Sequence, residues 1–164
     1  NFPEEFNKWS PNCKYDRGIE SDSLYINGYD NTILYTDYLL NSMLDSLEKQ
    51  EAIAAVWYVS DHGQTITATQ GWHGSVCDEN EYHVPLCIWY SDEYKLYNEN
   101  AIKQLGNHIH TPINSDNIFY TICGMTHIEL PKSYAHEKWD ISSDKFEVHP
   151  RKIIVAGQIR NLDE

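Results

Sequence analysis

The run Ala52–Val59, AIAAVWYV, leads directly into Ser60-Asp61-His62-Gly63. It is short, apolar at every position and closed by polar residues. Such a run is typical of a strand in a parallel sheet that helices cover on both faces. In open α/β sheets ligands bind beyond the carboxyl ends of the strands. We therefore expect the Asp61-His62-Gly63 loop to lie at a binding site.

An amphipathic helix is predicted just before this strand, over Asn31–Gln50. Its apolar residues fall within an arc of about 120° when the chain turns 100° per residue; they are Ile33, Leu40, Met43, Leu44 and Leu47. Asp30 or Asn31 is the predicted N-cap, because a short side-chain oxygen can accept from the free amides of the first turn. Residues 1–28 are polar and broken by proline and glycine, which predicts irregular structure.

Helices and strands also alternate after the loop, which indicates an α/β protein. A second strand is predicted at His83–Tyr90, with Pro85 near its start or on an edge because proline lacks an amide donor. The remaining predicted elements are a helix at Asn98–Gly106 ended by its glycine, a helix from Ile118 to about Met125 capped within Ser115-Asp116-Asn117, and a strand at Lys152–Ala156.

Composition limits the class of protein. The 164 residues fit one domain, and 41% hydrophobic residues argue against a disordered acidic tail. Because 12 Lys and Arg stand against 25 Asp and Glu, the net charge of −13 argues against broad nucleic-acid binding. There is no apolar run of about 20 residues and no signal peptide. The chain starts at Asn1 rather than Met, so we expect it to be cut from a longer one.

The four cysteines allow either disulfides or free thiols. Cys13, Cys77, Cys87 and Cys123 are widely spaced and form no Cys-x-x-Cys pair. Cys87 lies in an apolar run, which favours a buried free thiol there. The pattern alone leaves both states open for all four.

Asp61 and His62 are the first candidates for chemistry. A carboxylate and an imidazole are suitable zinc ligands, and Gly63 permits a turn that would point both side chains at one place. The alternative is a loop aspartate that caps the next element beside a solvated histidine. His73, between Trp72 and Gly74, is a third candidate on a loop that can approach the first, and its alternative is an ordinary exposed histidine.

No nucleophile is evident. Thr65, Thr67 and Thr69 alternate after Gln64 in a stretch that reads as a loop or lid. There is no Gly-x-Ser-x-Gly motif and no glycine-rich phosphate loop. The other histidines show no convergent spacing and are assigned to surface or core roles; they are His83, His108, His110, His127, His136 and His149.

The order of several segments resembles the carboxy-terminal half of a sulfatase-family phosphoethanolamine transferase. This group modifies lipid A and lipopolysaccharide core and includes the mobile colistin-resistance enzymes. The segments that carry the resemblance are Gly28–Tyr38, Val59–Gly63, Gly71–Gly74, His83–Leu86, Ser115–Phe119 and Trp139-Asp140, together with the spacing of Phe2, Pro3, Phe6, Pro11 and Cys13. The resemblance covers nearly the whole chain.

The resemblance implies a particular fold and place. The fold is α/β, an alkaline-phosphatase/sulfatase-like sheet flanked by helices. Residues 1–164 are then a single segment, the C-terminal part of the catalytic domain. Proteins of this group stand on the periplasmic face of the bacterial inner membrane, tethered by amino-terminal spans that this chain lacks. The implied partners are a phosphatidylethanolamine donor and a glycolipid acceptor, with no nucleic acid.

The resemblance also implies a zinc-dependent transferase. Asp61 and His62 match two zinc ligands, and His73 matches a catalytic histidine that contacts the substrate phosphate or a second metal. The family's threonine nucleophile, a glutamate ligand and another histidine precede the part seen here, so the chain alone is expected to be inactive. Gln64 stands where the family commonly has glutamate, which removes a charge near the metal.

Three other interpretations stay open. The chain resembles, more distantly, other alkaline-phosphatase-superfamily enzymes such as sulfatases, phosphodiesterases and phosphoglycerol transferases. It also fits a non-catalytic module derived from that fold, or a plain α/β domain. The Tyr29-Asp30-Asn31 segment favours the phosphoethanolamine transferase, while Gln64 and the absent amino-terminal half leave room for the non-catalytic module.

Overall fold

The structure is a computed structural model that describes residues 2–14, 21–66, 71–73, 78–134, 137–155 and 157–163. The chain divides into two compact units, Asn1–Trp89 and Tyr90–Glu164. Helices and strands alternate along it, as the sequence predicts. Within the described ranges, no helix is both long enough and apolar enough to cross a membrane.

The first unit is built around one long helix. After a short 3-10 turn at Glu4–Phe6, its elements are α1 (Asp22–Glu48), β1 (Ala55–Val59), β2 (Thr65–Ile66), β3 (Gly71–Trp72), α2 (Glu79–Tyr82) and β4 (Leu86–Tyr90). Strands β1 and β4 are hydrogen-bonded neighbours, and β2 pairs with β3. Strand β4 begins directly after Pro85, which confirms the predicted place of that proline.

Helix α1 begins at Asp22, nine residues before the predicted start at Asn31, so the expectation of irregular structure up to residue 28 is wrong there. The predicted cap at Asp30 or Asn31 is also wrong, because the N-cap is Ser21. The predicted start is late because the residues that α1 buries in its first turns, Leu24, Gly28 and Asn31, do not lie on the face of its apolar periodicity. A Cβ at Gly28 would lie 2.5 Å from the Cys13 Sγ.

Asn31 is fully buried in the middle of α1, where it holds the amino-terminal segment. Its Oδ1 accepts from the backbone amides of Lys8 (2.9 Å) and Trp9 (3.0 Å). Its Nδ2 donates to the Trp9 carbonyl oxygen at 2.8 Å. The Asn31 side chain therefore pairs with backbone groups of Lys8 and Trp9 that a neighbouring strand could otherwise bind.

The prediction that Ala52–Val59 is buried on both faces is wrong for this chain taken by itself. Ala55 and Val59, the two ends of β1, are exposed. Cys87 of β4 is exposed as well, so the expected buried thiol is not found there. Cys13 and Cys123 are also free, and Cys77 lies outside the described residues. The run is apolar on both faces, but described residues cover only part of it.

The described residues of the second unit form three helices and a hairpin. They are α3 (Asp92–Tyr97), α4 (Glu99–Asn107), α5 (Asp116–Met125), β5 (Lys152–Val155) and β6 (Gln158–Asn161), with a 3-10 turn at Glu137–Trp139. The predicted α4 and α5 are confirmed, but Gly106 does not stop α4, which runs one residue further. Strand β5 confirms the predicted strand up to Val155; Ala156 lies outside the described residues.

The core of the second unit joins α3 to the end of α5. The Tyr94 hydroxyl donates to the Met125 carbonyl oxygen at 2.6 Å, and burial raises the pKa of this phenol. Ser115 is the N-cap of α5, as predicted, although its side chain makes no capping bond. Asn117 instead fastens the residue before the cap, since its Oδ1 accepts from the Asn114 amide at 2.9 Å.

Candidate functional site

The loop that follows β1 holds Asp61 and His62 in a compact turn. The Ser60 hydroxyl donates to the His62 carbonyl oxygen at 2.7 Å, and the His62 amide donates to Asp61 Oδ1 at 3.1 Å. Both side chains stay at the surface, and that of Asp61 is 89% exposed. An exposed pair of this kind adds little to the stability of the fold. Because both side chains are exposed, a ligand can reach them.

Gly63 is required at this turn for a reason other than the one predicted. Its φ lies outside the left-handed region, so no special backbone conformation demands glycine. Instead, a Cβ at this position would lie 1.9 Å from the Asn80 carbonyl oxygen. The Gly63 amide donates to the Glu81 carbonyl oxygen at 2.8 Å. The loop is thus fastened directly onto the backbone of α2.

Helix α2 has only one turn, and Asp78 caps it. The Asp78 carboxylate accepts from the Asn80 amide at 2.9 Å and from the Asn80 side chain at 2.6 Å. These two bonds, the backbone one first, lower the pKa of Asp78. The cap fixes the turn of backbone against which Gly63 packs.

His62 presents the nitrogen that a metal ligand needs. Its Nδ1 lies 2.8 Å from the Gly63 carbonyl oxygen, which can only accept, so Nδ1 carries the proton and donates. The Nε2 then holds a lone pair, and it lies 3.8 Å from Asp61 Oδ2. Two ligands of one tetrahedral zinc ion, each bonded at about 2.0–2.1 Å, lie about 3.4 Å apart. The two side chains therefore fit a shared zinc ion with a small adjustment.

The β2–β3 hairpin brings His73 to the same place. Thr65 pairs with Trp72 and Ile66 with Gly71, so the residues that flank the hairpin return side by side. The His73 ring stacks on that of His62, with centroids 4.2 Å apart and planes 10° from parallel. The three residues that the sequence singled out thus lie together in the structure.

Asp61, His62 and His73 do not by themselves make up a metal site. Across the residues that the structure describes, no group of three or more His, Cys, Asp and Glu side chains is placed to hold a metal ion. Asp61 and His62 would supply two ligands, and a closed zinc site needs four. Any further ligands would lie outside the described residues or come from substrate and water.

Two other histidines have structural partners instead. His108 Nδ1 lies 2.8 Å from the Ile141 carbonyl oxygen, and the His149 ring stacks on Trp139 at 4.0 Å. This agrees with the core and surface roles predicted for them.

The β2–β3 hairpin, which joins the two loops, was not predicted from the sequence. Thr65 begins β2, although the sequence places it in a loop or lid; Thr67 and Thr69 lie outside the described residues. The available signal was the alternation of β-branched residues that starts at Thr65 and Ile66, followed by an aromatic residue at Trp72. That pattern is typical of a short hairpin.

The chain belongs to the sulfatase family, whose model matches residues 1–128. Among members with an assigned activity, it is 33% identical over 97 residues to the Kdo(2)-lipid A phosphoethanolamine 7''-transferase of Escherichia coli K12. That match spans 57% of this chain and 17% of the enzyme. It is 32% identical over 128 residues to the phosphoethanolamine transferase EptA of Helicobacter pylori, across 75% of this chain and 23% of EptA.

A solved structure confirms the fold. The crystal structure of the C-terminal periplasmic domain of Escherichia coli EptC matches 99% of this chain with a TM-score of 0.80 and 19% identity. A complex of the same domain with Zn matches with a TM-score of 0.64 and 16% identity. The predicted α/β, alkaline-phosphatase/sulfatase-like fold is thereby confirmed. The chain spans 47% of the EptC domain and about a quarter or less of the transferases it resembles.

Proposed function

We propose that this chain is the C-terminal part of the catalytic domain of a zinc-dependent phosphoethanolamine transferase. The donor is phosphatidylethanolamine, and the acceptor is lipid A, lipopolysaccharide core or another glycan. The observation that carries the proposal is the meeting of Asp61, His62 and His73 beside β1. The relatives with assigned activity transfer phosphoethanolamine, and we propose the same reaction for this arrangement because of that similarity.

Asp61 and His62 are the proposed zinc ligands of this chain. The Gly63 carbonyl oxygen holds His62 in the tautomer that leaves Nε2 free, which is how backbone groups commonly orient ligating imidazoles. The bond from Gly63 to Glu81 then fixes the loop itself. A bound zinc ion would supply Lewis acidity, offsetting charge on phosphoryl oxygens and on an oxygen nucleophile.

His73 is the proposed catalytic residue. Its exposed ring lies against His62, so its N–H groups can reach a phosphoryl oxygen held at the same loop. As a donor it would stabilise the charge that collects on phosphorus-bound oxygens, or protonate the leaving oxygen of diacylglycerol. The hairpin pairing of Thr65 with Trp72 keeps this ring within reach. The attacking nucleophile is not among these residues.

The proposed place is the periplasmic face of the bacterial inner membrane. The EptC domain that shares this fold is periplasmic. The donor is a membrane lipid and the acceptor a glycolipid, so the enzyme would work next to the bilayer, held by membrane spans in sequence beyond this chain. Residues 1–164 would form a single segment of its catalytic domain.

The test uses a longer protein that carries the complete domain. Asp61→Ala and His62→Ala are each expected to abolish release of diacylglycerol from fluorescent phosphatidylethanolamine, because either removes a ligand. His110→Ala, which removes an exposed histidine of the second unit, is the matched control and should retain transfer. Full transfer in either loop variant would refute the metal assignment.

The same protein distinguishes the alternatives. Release of sulfate from an aryl sulfate, without diacylglycerol formation, would assign a sulfatase, and cleavage of a phosphodiester without transfer would assign a phosphodiesterase. Retained glycolipid binding without turnover would assign a non-catalytic module. The test for a non-catalytic module is needed because Gln64, next to the proposed ligands, stands where the family commonly has glutamate.

The isolated chain should bind zinc weakly and show no transfer, because half of a tetrahedral ligand set is missing. Calorimetric titration of the 164-residue chain with zinc measures this, with Asp61→Ala as the comparison. Tight, stoichiometric zinc that Asp61→Ala removes would show that the chain holds a complete site.

A further inference from the structure

The β5–β6 hairpin presents an apolar pair on one of its faces. Ile154 and Ile159 lie directly opposite each other in the strand register, so their side chains share that face. They are 74% and 71% exposed, whereas Val155, which points to the other face, is 9% exposed. The face that carries Val155 is therefore covered at this residue, while the isoleucine pair stands in water. The hairpin lies beyond residues 1–128, which the sulfatase model matches.

Two cations of the same hairpin have no carboxylate beside them. Residues 137–164 contain five Lys and Arg. Three of them form ion pairs, which are Lys138 with Glu147, Lys145 with Glu137 and Arg151 with Asp163. The other two, Lys152 and Arg160, are exposed and have no ion pair among the residues that the structure describes. Lys152 shares the face of Ile154, and Arg160 follows Ile159 in β6.

We propose that the β5–β6 hairpin docks on an anionic lipid bilayer. Ile154 and Ile159 enter the bilayer surface, while Lys152 and Arg160 stay at the level of the phosphates. Apolar groups gain by leaving water there, and the long side chains of Lys and Arg keep their charges among the headgroups. The proposal rests on the exposure and the charge of the hairpin, so it holds or fails separately from the zinc site and from transfer.

The net charge of −13 does not oppose this contact. Interactions between exposed charges fade over about 8 Å at physiological ionic strength. Headgroups at the hairpin therefore respond to the charges of the hairpin and not to those of the whole chain. Residues 148–161 contain no Asp or Glu, so Lys152 and Arg160 give this stretch a local positive charge.

A protein surface is the competing occupant of the isoleucine pair. A protein that covers Ile154 would also cover Lys152, because the two share a face, and a buried cation needs a carboxylate partner. A second copy of the chain would instead pair with an open edge of this two-stranded sheet. Edge pairing uses backbone groups and leaves the face with Ile154 and Ile159 in water. The unpaired cations on an apolar face therefore favour the bilayer.

Flotation of the 164-residue chain with lipid vesicles tests the proposal. Vesicles of phosphatidylglycerol and phosphatidylcholine are compared with vesicles of phosphatidylcholine alone. One variant combines Ile154→Thr with Ile159→Thr, which removes the apolar pair and keeps β-branched side chains that suit a strand. The other variant combines Lys152→Gln with Arg160→Gln and removes the cations.

Ile128→Thr and Lys132→Gln are the matched controls. Both residues are exposed and lie outside the hairpin, so each control makes the same chemical change at another place on the surface. Circular dichroism checks that every variant keeps the wild-type fold. The two double variants are independent, so if one of them does not fold, the other still decides the question.

The wild-type chain should partition at least about tenfold more strongly onto the anionic vesicles than onto the neutral ones. Loss of the isoleucine pair should weaken this partitioning at least about tenfold, and loss of the two cations at least about fivefold, with both controls within about twofold of wild type. Equal partitioning onto both kinds of vesicle, no binding to either, or a folded double variant that binds like wild type would overturn the proposal. So would a dimer in sedimentation velocity that is lost with the isoleucine pair, because that result assigns a second copy.

Discussion

Gly63→Ala should detach the Asp61-His62 loop from α2. The new Cβ would lie 1.9 Å from the Asn80 carbonyl oxygen, where ordinary contacts begin at 3.4 Å, so the backbones must separate by about 1.5 Å. That separation breaks or stretches the 2.8 Å bond from Gly63 to Glu81. Because the obstacle is backbone, no side-chain rotation relieves it.

The expected cost is about 1–3 kcal/mol of unfolding free energy, the range for overpacking in a fitted site. With a urea m value of about 2 kcal/mol/M, the midpoint should fall by roughly 0.5–1.5 M. In a protein with the complete ligand set, zinc affinity should fall about 10–100-fold, since the loop that orients His62 has moved.

Gly106→Ala is the internal control for this prediction. Gly106 lies in α4, and a Cβ there meets nothing within 4 Å. The same substitution should therefore raise stability by about 0.5–1 kcal/mol through the better helix propensity of alanine. If Gly63→Ala unfolds at the same urea concentration as the wild type and binds zinc equally well, the close approach of loop and α2 is not what fixes the site.

Three further substitutions test the packing around the site and in the second unit. Asn31→Ala should cost about 1–3 kcal/mol in urea unfolding, because it removes the partner of the Trp9 amide, while the Lys8 amide keeps the Phe6 carbonyl oxygen and the Trp9 carbonyl oxygen keeps Asn12 Nδ2; a change below 0.5 kcal/mol would contradict this. Tyr94→Phe should cost about 1–3 kcal/mol by leaving the Met125 carbonyl oxygen unpaired, and unchanged thermal unfolding would count against it. Burial raises the pKa of Asp140, so the folded state holds this proton to higher pH than the unfolded state does. The contribution of Asp140 to the free energy of unfolding therefore falls as the pH rises from 3.8 through the raised pKa. The stability of Asp140→Asn relative to the wild type should rise across that interval. A relative stability that falls with rising pH would refute the sign.

The sequence selects the residues of the candidate site but not the contacts that bring them together. Asp61, His62 and His73 could be selected because residue type and position after an apolar strand carry chemical information. What brings His62 and His73 together is the pairing of Thr65 with Trp72, a tertiary event between short segments with little periodicity.

The errors in the fold share one cause, which is that hydrophobic patterns predict what is to be buried but not what buries it. The apolar stripe of α1 predicts a contact face, yet the buried positions of the helix, Leu24, Gly28 and Asn31, lie on the opposite side. Likewise β1 is apolar on both faces, while its ends are exposed. Glycine and asparagine give no hydrophobic signal, so the contacts that α1 makes through Gly28 and Asn31 were not predicted.

The hydrogen bonds of Asn31 also set an order of assembly. The Asn31 groups that bind Lys8 and Trp9, Oδ1 and Nδ2, are correctly aimed only once α1 has formed around position 31. We therefore expect the amino-terminal segment to order after the helix, across a separation of 22 residues to Trp9. In native-state hydrogen exchange, the Lys8 and Trp9 amides should open at least as readily as the middle of α1.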